Sequence, residues 1–391
     1  MDISIYFDPI AKLSEEYEPK RFKRRIGDII KSYYEEGHFP VLENIQLAIV
    51  GVPEDRNSYN NKGCAEGVDV IRSNFYSLFE GHFNLCIADL GNIRIGSSVN
   101  DTYVAISNVC SELIQNNIIP MIIGGSQDIT FANYLAYEKL GQIINIFSLD
   151  SRFDIGDGSE EVHSESYLSK IIMHQPNFLF NYTNVGYQSY FVSRDTVQLM
   201  DKLLFDIHRL GSVRDDIEET EPMVRNADML SFDVSSIRIS DAPGCAKASP
   251  NGFYGEEACQ IIRYAGLSDK LTSIGFYEYN PAYDVQQQTA MLIAQMMWYF
   301  IEGFYNRKKD FPHKQKEEYV KYHVTIRNLE DKITFYKSKK SDRWWIEVPV
   351  KTDQALKYER HYLVPCSYND YKIACDGELP DRWWQTYKKM M

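Results

Sequence analysis

The sequence predicts an α/β protein: one mainly parallel sheet covered by helices on both faces over residues 41–305, and a small α+β or β-rich appendage over 306–391. Three observations predict it. Short apolar runs recur along the body, stretches with helical spacing separate them, and the chain changes character after Asn306. Strands buried on both faces read as near-continuous apolar runs, and strand–helix alternation implies crossover units.

Taken in order, residues 1–40 form an N-terminal extension in which RFKRRIGDIIKSYYEEG reads as a charged amphipathic helix stopped by Gly37. The body's apolar runs are NIQLAIVGV, LCIAD, IPMIIGG, IINIFSLD, MLSFDV and LTSIGFYE. YVAISNVCSELIQNN and GEEACQIIRYAGL carry helical spacing between them, and 284–301 is apolar nearly all round, as for a helix packed between sheet and partner. In the appendage HVTIRN, KITFYKS and WWIEVPV alternate like half-exposed strands. Asp342-Arg343-Trp344-Trp345 recurs there as Asp381-Arg382-Trp383-Trp384.

Hydrophobic residues at 44% and charged residues at 25% of 391 exclude disorder as the main state. The net charge of −13 divides into −19 for residues 1–305 and +6 for 306–391, so a polyanionic partner is excluded for the body. Seven scattered cysteines without a C-x-x-C pair fit reduced thiols in a cytoplasmic protein. MDISIYFDPI lacks the basic and apolar regions of a signal peptide. AMLIAQMMWYF, broken by Gln295, is too short to span a bilayer, so no transmembrane segment is expected.

In an open parallel sheet, ligands bind at the carboxyl ends of the strands. Four such ends are unusual here: Gly124-Gly125-Ser126-Gln127-Asp128, Asp150-Ser151-Arg152-Phe153-Asp154, Ser231-Phe232-Asp233-Val234-Ser235 with Asp241-Ala242-Pro243-Gly244 after it, and Glu278-Tyr279-Asn280-Pro281. Each also has a bland explanation. Asp128, Asp150 and Asp154 can cap the following helices, and the glycines can serve tight turns.

Together, in this order, these segments resemble the arginase, agmatinase and formiminoglutamase (ureohydrolase) family. That family has a GG-x-H turn, a D-A-H-x-D turn, an S-x-D-x-D strand end with a P-G loop, and a late E-x-N-P. Gly51-Val52-Pro53-Glu54-Asp55, Asn61-Lys62-Gly63 and Ile71-Arg72 resemble its formiminoglutamase branch, and the similarity runs over about residues 45–303. The resemblance implies a three-layer α/β/α sandwich and assembly into homo-oligomers. It also implies two Mn²⁺ ions held by two His and four Asp, sharing a hydroxide that attacks a guanidinium-type carbon.

The chain departs from that ligand set. Gln127 stands for the first His, Arg152 for the second and Ser235 for the last Asp, while Asp150, Asp154 and Asp233 remain. Arg has no lone pair to offer and Ser is a poor ligand, so a second metal is not expected. Gln127, Asp150, Asp154 and Asp233 could hold at most one divalent cation (Mn²⁺, Mg²⁺ or Ca²⁺), and otherwise no cofactor is expected. In the preferred arrangement Arg152 replaces the metals by taking bidentate hydrogen bonds to two carboxylates. On that basis Arg152→Ala is expected to cost about 3–5 kcal/mol. Glu278 and His163 are candidate ligand contacts, and no residue is assigned a catalytic role.

Two functions follow. In the first, the chain has lost the dinuclear centre, is not an enzyme, and binds as a scaffold, regulator or assembly subunit. In the second, it is a metal-dependent hydrolase cleaving the C–N bond of a formimino- or guanidino-compound. For the first, Arg343, Trp344, Trp345, Arg382, Trp383 and Trp384 are expected to hold a protein partner, since Trp and Arg anchor interfaces, although a core or docking role is the commoner fate of such tryptophans and the lack of a low-complexity linker suggests that the appendage docks on the body. Nucleic acid is not expected beside so acidic a body.

Overall fold

The apolar runs become strands because every residue of Leu47–Gly51, Ile119–Ile123, Ile144–Leu149, Met229–Asp233 and Ser273–Tyr277 is buried, which only a strand covered on both faces allows. A computed structural model of the chain describes residues 1–11, 24–156, 162–312, 318–326 and 332–391. The body strands are β1 (Phe7–Asp8), β2 (Lys31–Ser32), β3 (Leu47–Gly51), β4 (Ile87–Ile93), β5 (Ile119–Ile123), β6 (Ile144–Leu149), β7 (Leu179–Tyr187), β8 (Asp206–Arg209), β9 (Met229–Asp233) and β10 (Ser273–Tyr277). Their order across the sheet is β1-β4-β3-β5-β10-β9-β6-β7-β8, with β2 also on β4. The pairing of β1 with β4 is antiparallel and the rest parallel, as the alternation predicts.

The body helices are α1 (Ile26–Ile29), α2 (Gly67–Ser77), α3 (Val99–Gln115), α4 (Ile129–Lys139), α5 (Tyr167–Met173), α6 (Arg194–Lys202), α7 (Leu210–Asp215), α8 (Thr220–Arg225), α9 (Gly255–Leu267) and α10 (Gln288–Tyr305). One apolar cluster joins one face of the sheet to α2, α8, α9 and α10. A second joins the other face to α3, α4 and α5. The result is the three-layer α/β/α sandwich. No helix among the described residues is long and apolar enough to cross a membrane.

The N-terminal segment differs from the amphipathic helix expected over 21–37. Residues 12–23 lie outside the described residues, and of the rest only Ile26–Ile29 are helical. Lys31 and Ser32 instead pair with Ala88 and Asp89 of β4, and the Tyr33 N–H donates to the Asp89 carbonyl at 3.0 Å. Sheet pairing with burial of Ile26, Ile30 and Tyr33 outweighs helical periodicity here.

The appendage is a separate antiparallel sheet in the order β11 (Tyr319–Val324), β12 (Ile333–Ser338), β13 (Trp344–Glu347), β14 (Leu363–Cys366), followed by α11 (Tyr368–Cys375) and α12 (Asp381–Met390). The two Asp-Arg-Trp-Trp copies are not structural equivalents: the first leads into β13 and the second opens α12. The appendage docks below the amino ends of the body strands, opposite the ends where ligands are expected. Arg225 of α8 donates to the carbonyls of Trp344 (3.1 Å) and Cys366 (3.3 Å) and lies 4.4 Å from the Trp345 ring. Arg343 pairs with Glu221, and Arg382 with Glu219 and Asp370. The aromatic, basic segment expected to hold a partner is therefore largely engaged within the chain. Trp344, Trp345 and Trp383 are buried and Trp384 is 41% exposed.

Candidate functional site

Four neighbouring strands, β5-β10-β9-β6, end side by side and carry Gln127, Glu278, Asp233 and Asp150 in that order. The first arrives through a turn that only glycine fits. Gly124 and Gly125 have φ of +94° and +71°, and a Cβ would lie 2.2 Å from Val68 Cγ2 or 2.6 Å from the Glu54 carbonyl. This turn places the Gln127 N–H against Glu278 Oε1 at 2.9 Å. Asp154 and Glu278 themselves sit at φ of +50° and +66°, left-handed conformations that cost backbone energy and cluster at functional sites.

The carboxylates of Asp150, Asp154 and Asp233 are buried, with one oxygen of each within 4.8 Å of the others. Gln127 completes the group. With its amide nitrogen turned inward it donates to Asp233 Oδ2 (2.7 Å) and Asp154 Oδ2 (3.0 Å). With the amide reversed, Nε2 reaches the Tyr167 and Ser231 hydroxyls at 3.3 and 3.4 Å, and the carbonyl oxygen joins the carboxylates. Backbone N–H groups hold the outer edges: Arg152 N–H donates to Asp150 Oδ1 (2.8 Å) and Ser235 N–H to Asp233 Oδ1 (2.6 Å).

Crowding these acids away from water pushes them toward their neutral forms. Burial, then the neighbouring Asp154 and Asp233, raises the Asp150 pKa well above the carboxylate range. Burial raises Asp154 to about 7 and Glu278 to about 8, and Asp233 moves in the same direction. Lys247 opposes this most, at Asp154, Asp233 and Glu278, and Arg152 adds a smaller share at Asp233. Lys247, in the loop after β9, is buried to 11% side-chain exposure and pairs with Glu165 at 2.9 Å. Burial disfavours its charge, but Glu278, Asp154 and Asp233 outweigh burial and raise its pKa. Sequence reasoning missed it, because a lysine in an irregular loop carries no spacing signal.

Arg152 corrects the sequence expectation. Its guanidinium lies 4.2 Å from the centroid of the Phe191 ring and donates to Ser151 Oγ (3.3 Å), and no ion pair to it is found among the described residues. The earlier cost of about 3–5 kcal/mol therefore falls away. Arg152→Ala is now expected to cost about 1 kcal/mol, the scale of one half-buried cation–π contact, checked by a denaturant melt. Ser235 Oγ pairs with Ser151 Oγ at 3.1 Å.

Glu278 is fully buried, and Gln127 N–H and Asn61 Nδ2 (2.8 Å) occupy its two oxygens, so it pins two loops together rather than facing a cavity. His163 lies apart from the cluster. Its ring packs 5.2 Å from Tyr59, and its Nδ1 accepts from the Glu165 N–H. Asp128 accepts hydrogen bonds from the Tyr103 and Ser126 hydroxyls and is a packing residue. All seven cysteines are free.

With this geometry in hand, three comparisons place the chain. The family model described as the arginase family matches residues 45–302. A formimidoylglutamase of Staphylococcus haemolyticus is 25% identical over 316 residues, 74% of this chain and 96% of that protein. One from a Staphylococcus aureus strain is 26% identical over 323 residues, 75% of this chain and 96% of its own. Among solved structures, Trypanosoma cruzi formiminoglutamase with Mn²⁺ superposes with a TM-score of 0.65 at 19% identity, covering 72% of this chain and 99% of that one. Bacillus subtilis formimidoylglutamase does so with a TM-score of 0.67 at 18% identity, covering 76% and 97%.

Proposed function

The chain belongs to the arginase family, and from that premise we propose that it keeps the family's sandwich and strand-end acids but lacks the two-metal hydrolytic centre and acts by binding, as a scaffold, regulatory or assembly subunit. The observation that carries this is Lys247, whose largely buried ammonium pairs with Glu165 at 2.9 Å and feels the charge of Glu278, Asp154 and Asp233. A pair of Mn²⁺ ions does not fit the donors present. Arg152 offers no lone pair and faces Phe191, and the Ser235 hydroxyl is held by Ser151. Three carboxylates cannot supply two ions with a full ligand set, and the ammonium repels both. Seven free thiols support a cytoplasmic setting.

A second reading rests on the Gln127 amide. Its oxygen, turned inward, would join Asp150, Asp154 and Asp233 in an all-oxygen set suited to one hard divalent cation. That site could support a hydrolase acting on a formimino- or guanidino-compound.

Metal content separates the two. After incubation with excess Mn²⁺ and removal of free ion, mass spectrometry is expected to find well under one ion per chain, with no hydrolysis of a formimino-amino acid. One ion with turnover would establish the second reading, and two ions would overturn both.

A further inference from the structure

Next to the carboxylate cluster, at the carboxyl end of the edge strand β8, lies a cavity of about 340 Å³. Three arginines line it: Arg209 closing β8, Arg214 on α7 and Arg238 in the loop after β9. Two of them lie against one ring, with guanidinium carbons 4.1 Å (Arg214) and 3.9 Å (Arg238) from the Tyr254 centroid. A carboxylate steadies each through Nε: Glu257 holds Arg214 at 3.2 Å and Asp241 holds Arg238 at 2.8 Å. Those pairs fix where the forks point, and no further carboxylate bond to their terminal nitrogens is found among the described residues. Arg209 has no ion pair among the described residues, although its backbone is fixed by pairing with Tyr187 in the sheet.

This concentration of cations runs against its surroundings, since residues 1–305 carry a net charge of −19. Guanidinium forks held in place by stacking and second carboxylates are the arrangement that recognises planar or tetrahedral oxyanions by paired hydrogen bonds. We propose that this cavity binds a small ligand bearing an oxyanion, a carboxylate or a phosphate, seated between Arg209, Arg214 and Arg238. The inference gives the binding role a ligand class and holds whether or not the carboxylate cluster takes a metal.

The cavity is also joined to the cluster. Gln188, on its wall, donates its N–H to the Ser151 carbonyl at 3.0 Å, within the turn that carries Asp150 and Arg152. Tyr190 meets Phe191 edge-on at 4.8 Å, and Phe191 carries the Arg152 guanidinium.

The test is calorimetric titration of the full chain at low ionic strength, with inorganic phosphate in one arm and succinate in the other. Saturable binding of one equivalent of either is expected, weakened about ten-fold or more in Arg209→Ala and by added salt. Phosphate alone binding points to a phosphorylated ligand, and succinate alone to a carboxylic acid. Arg209 makes no ion pair among the described residues, and a thermal melt matching the wild type verifies that the variant is folded. Absence of saturable binding in both arms, or wild-type affinity in a folded Arg209→Ala, overturns the proposal.

Discussion

Lys247→Met is expected to cost the fold about 3–5 kcal/mol in a denaturant melt at pH 7.5, the scale of removing one partner from a buried charge cluster. The methionine keeps most of the aliphatic stem, so the loss reports the ammonium rather than a cavity. Without it, Asp150, Asp154, Asp233 and Glu278 face one another with only Arg152 nearby, and Arg152 is turned away onto Phe191. The pH dependence separates this cause from a packing defect. Carboxyls whose pKa is raised bind their protons more tightly folded than unfolded, so their contribution to stability falls as pH rises. The window runs from the ordinary carboxylate range up to the folded values, about 7 for Asp154 and about 8 for Glu278. The variant is therefore expected to lose stability more steeply than the wild type between pH 5 and 8, and to recover most of the difference near pH 5. Millimolar Mg²⁺ or Ca²⁺ is expected to stabilise it more than the wild type, because a cation then enters the vacated charge position. Equal stability at pH 7.5, or a cost unmoved by acidification, sinks the assignment of Lys247 as the resident cation.

The parts of this molecule that could be read from sequence share a physical reason. β3, β5, β6, β9 and β10 are central parallel strands, and double-sided burial leaves a short uninterrupted apolar run that their length separates from a buried helix such as α10. Gln127, Asp150, Asp154, Asp233 and Glu278 were legible because each stands at or just past the end of such a run, where side chains converge. Side-chain direction was not legible. Arg152 follows Asp150 by two residues and could turn inward to the acids or outward to an aromatic, and only Phe191, brought in from the loop after β7, decides it. Lys247 belongs to an irregular loop, whose conformation follows from long-range pins such as the Asn61 Oδ1 that accepts the Ala246 N–H at 3.1 Å. The same limit applies to the appendage. Its tryptophans and arginines carried an interface signal, and part of that signal is spent inside the chain, where Arg225 of α8 meets Trp344 and Trp345.

Asp228→Asn is expected to lower stability by about 3 kcal/mol and to loosen the appendage from the body. Asp228 is a fully buried carboxylate just before β9, and it gathers groups from both units. It accepts from the Asn145 N–H at 2.9 Å, pairs with Lys270 at 3.6 Å, and receives Arg360 of the appendage at 2.6 Å. Lys270 is 3% exposed and Arg360 41%, so the loss of the lysine's partner dominates and water screens the arginine's share. Burial also leaves the Lys270 pKa lowered to about 8, so the pair has little reserve once its carboxylate is gone.

Acid should act on the same seam. His361 stacks on Phe180 with ring centroids 4.3 Å apart, its Nε2 bonds the Ile143 carbonyl at 3.2 Å, and its buried Nδ1 has no hydrogen-bond partner among the described residues. Burial, then the Lys270 charge, lowers its pKa to about 3, while Asp228 pulls the other way. The unfolded chain takes up a proton near pH 6.5 that the docked histidine refuses. The His361 contribution to stability is therefore intact above about pH 6.5 and falls by up to about 1.4 kcal/mol per pH unit toward pH 3. Tryptophan fluorescence is the readout, because Trp344, Trp345 and Trp383 are buried in the appendage and at its seam. A red shift on acidification, displaced to higher pH in Asp228→Asn and lost in His361→Phe, is the expected pattern. A wild-type melt for Asp228→Asn, or an acid transition unchanged by His361→Phe, would show that the seam does not depend on this buried pairing.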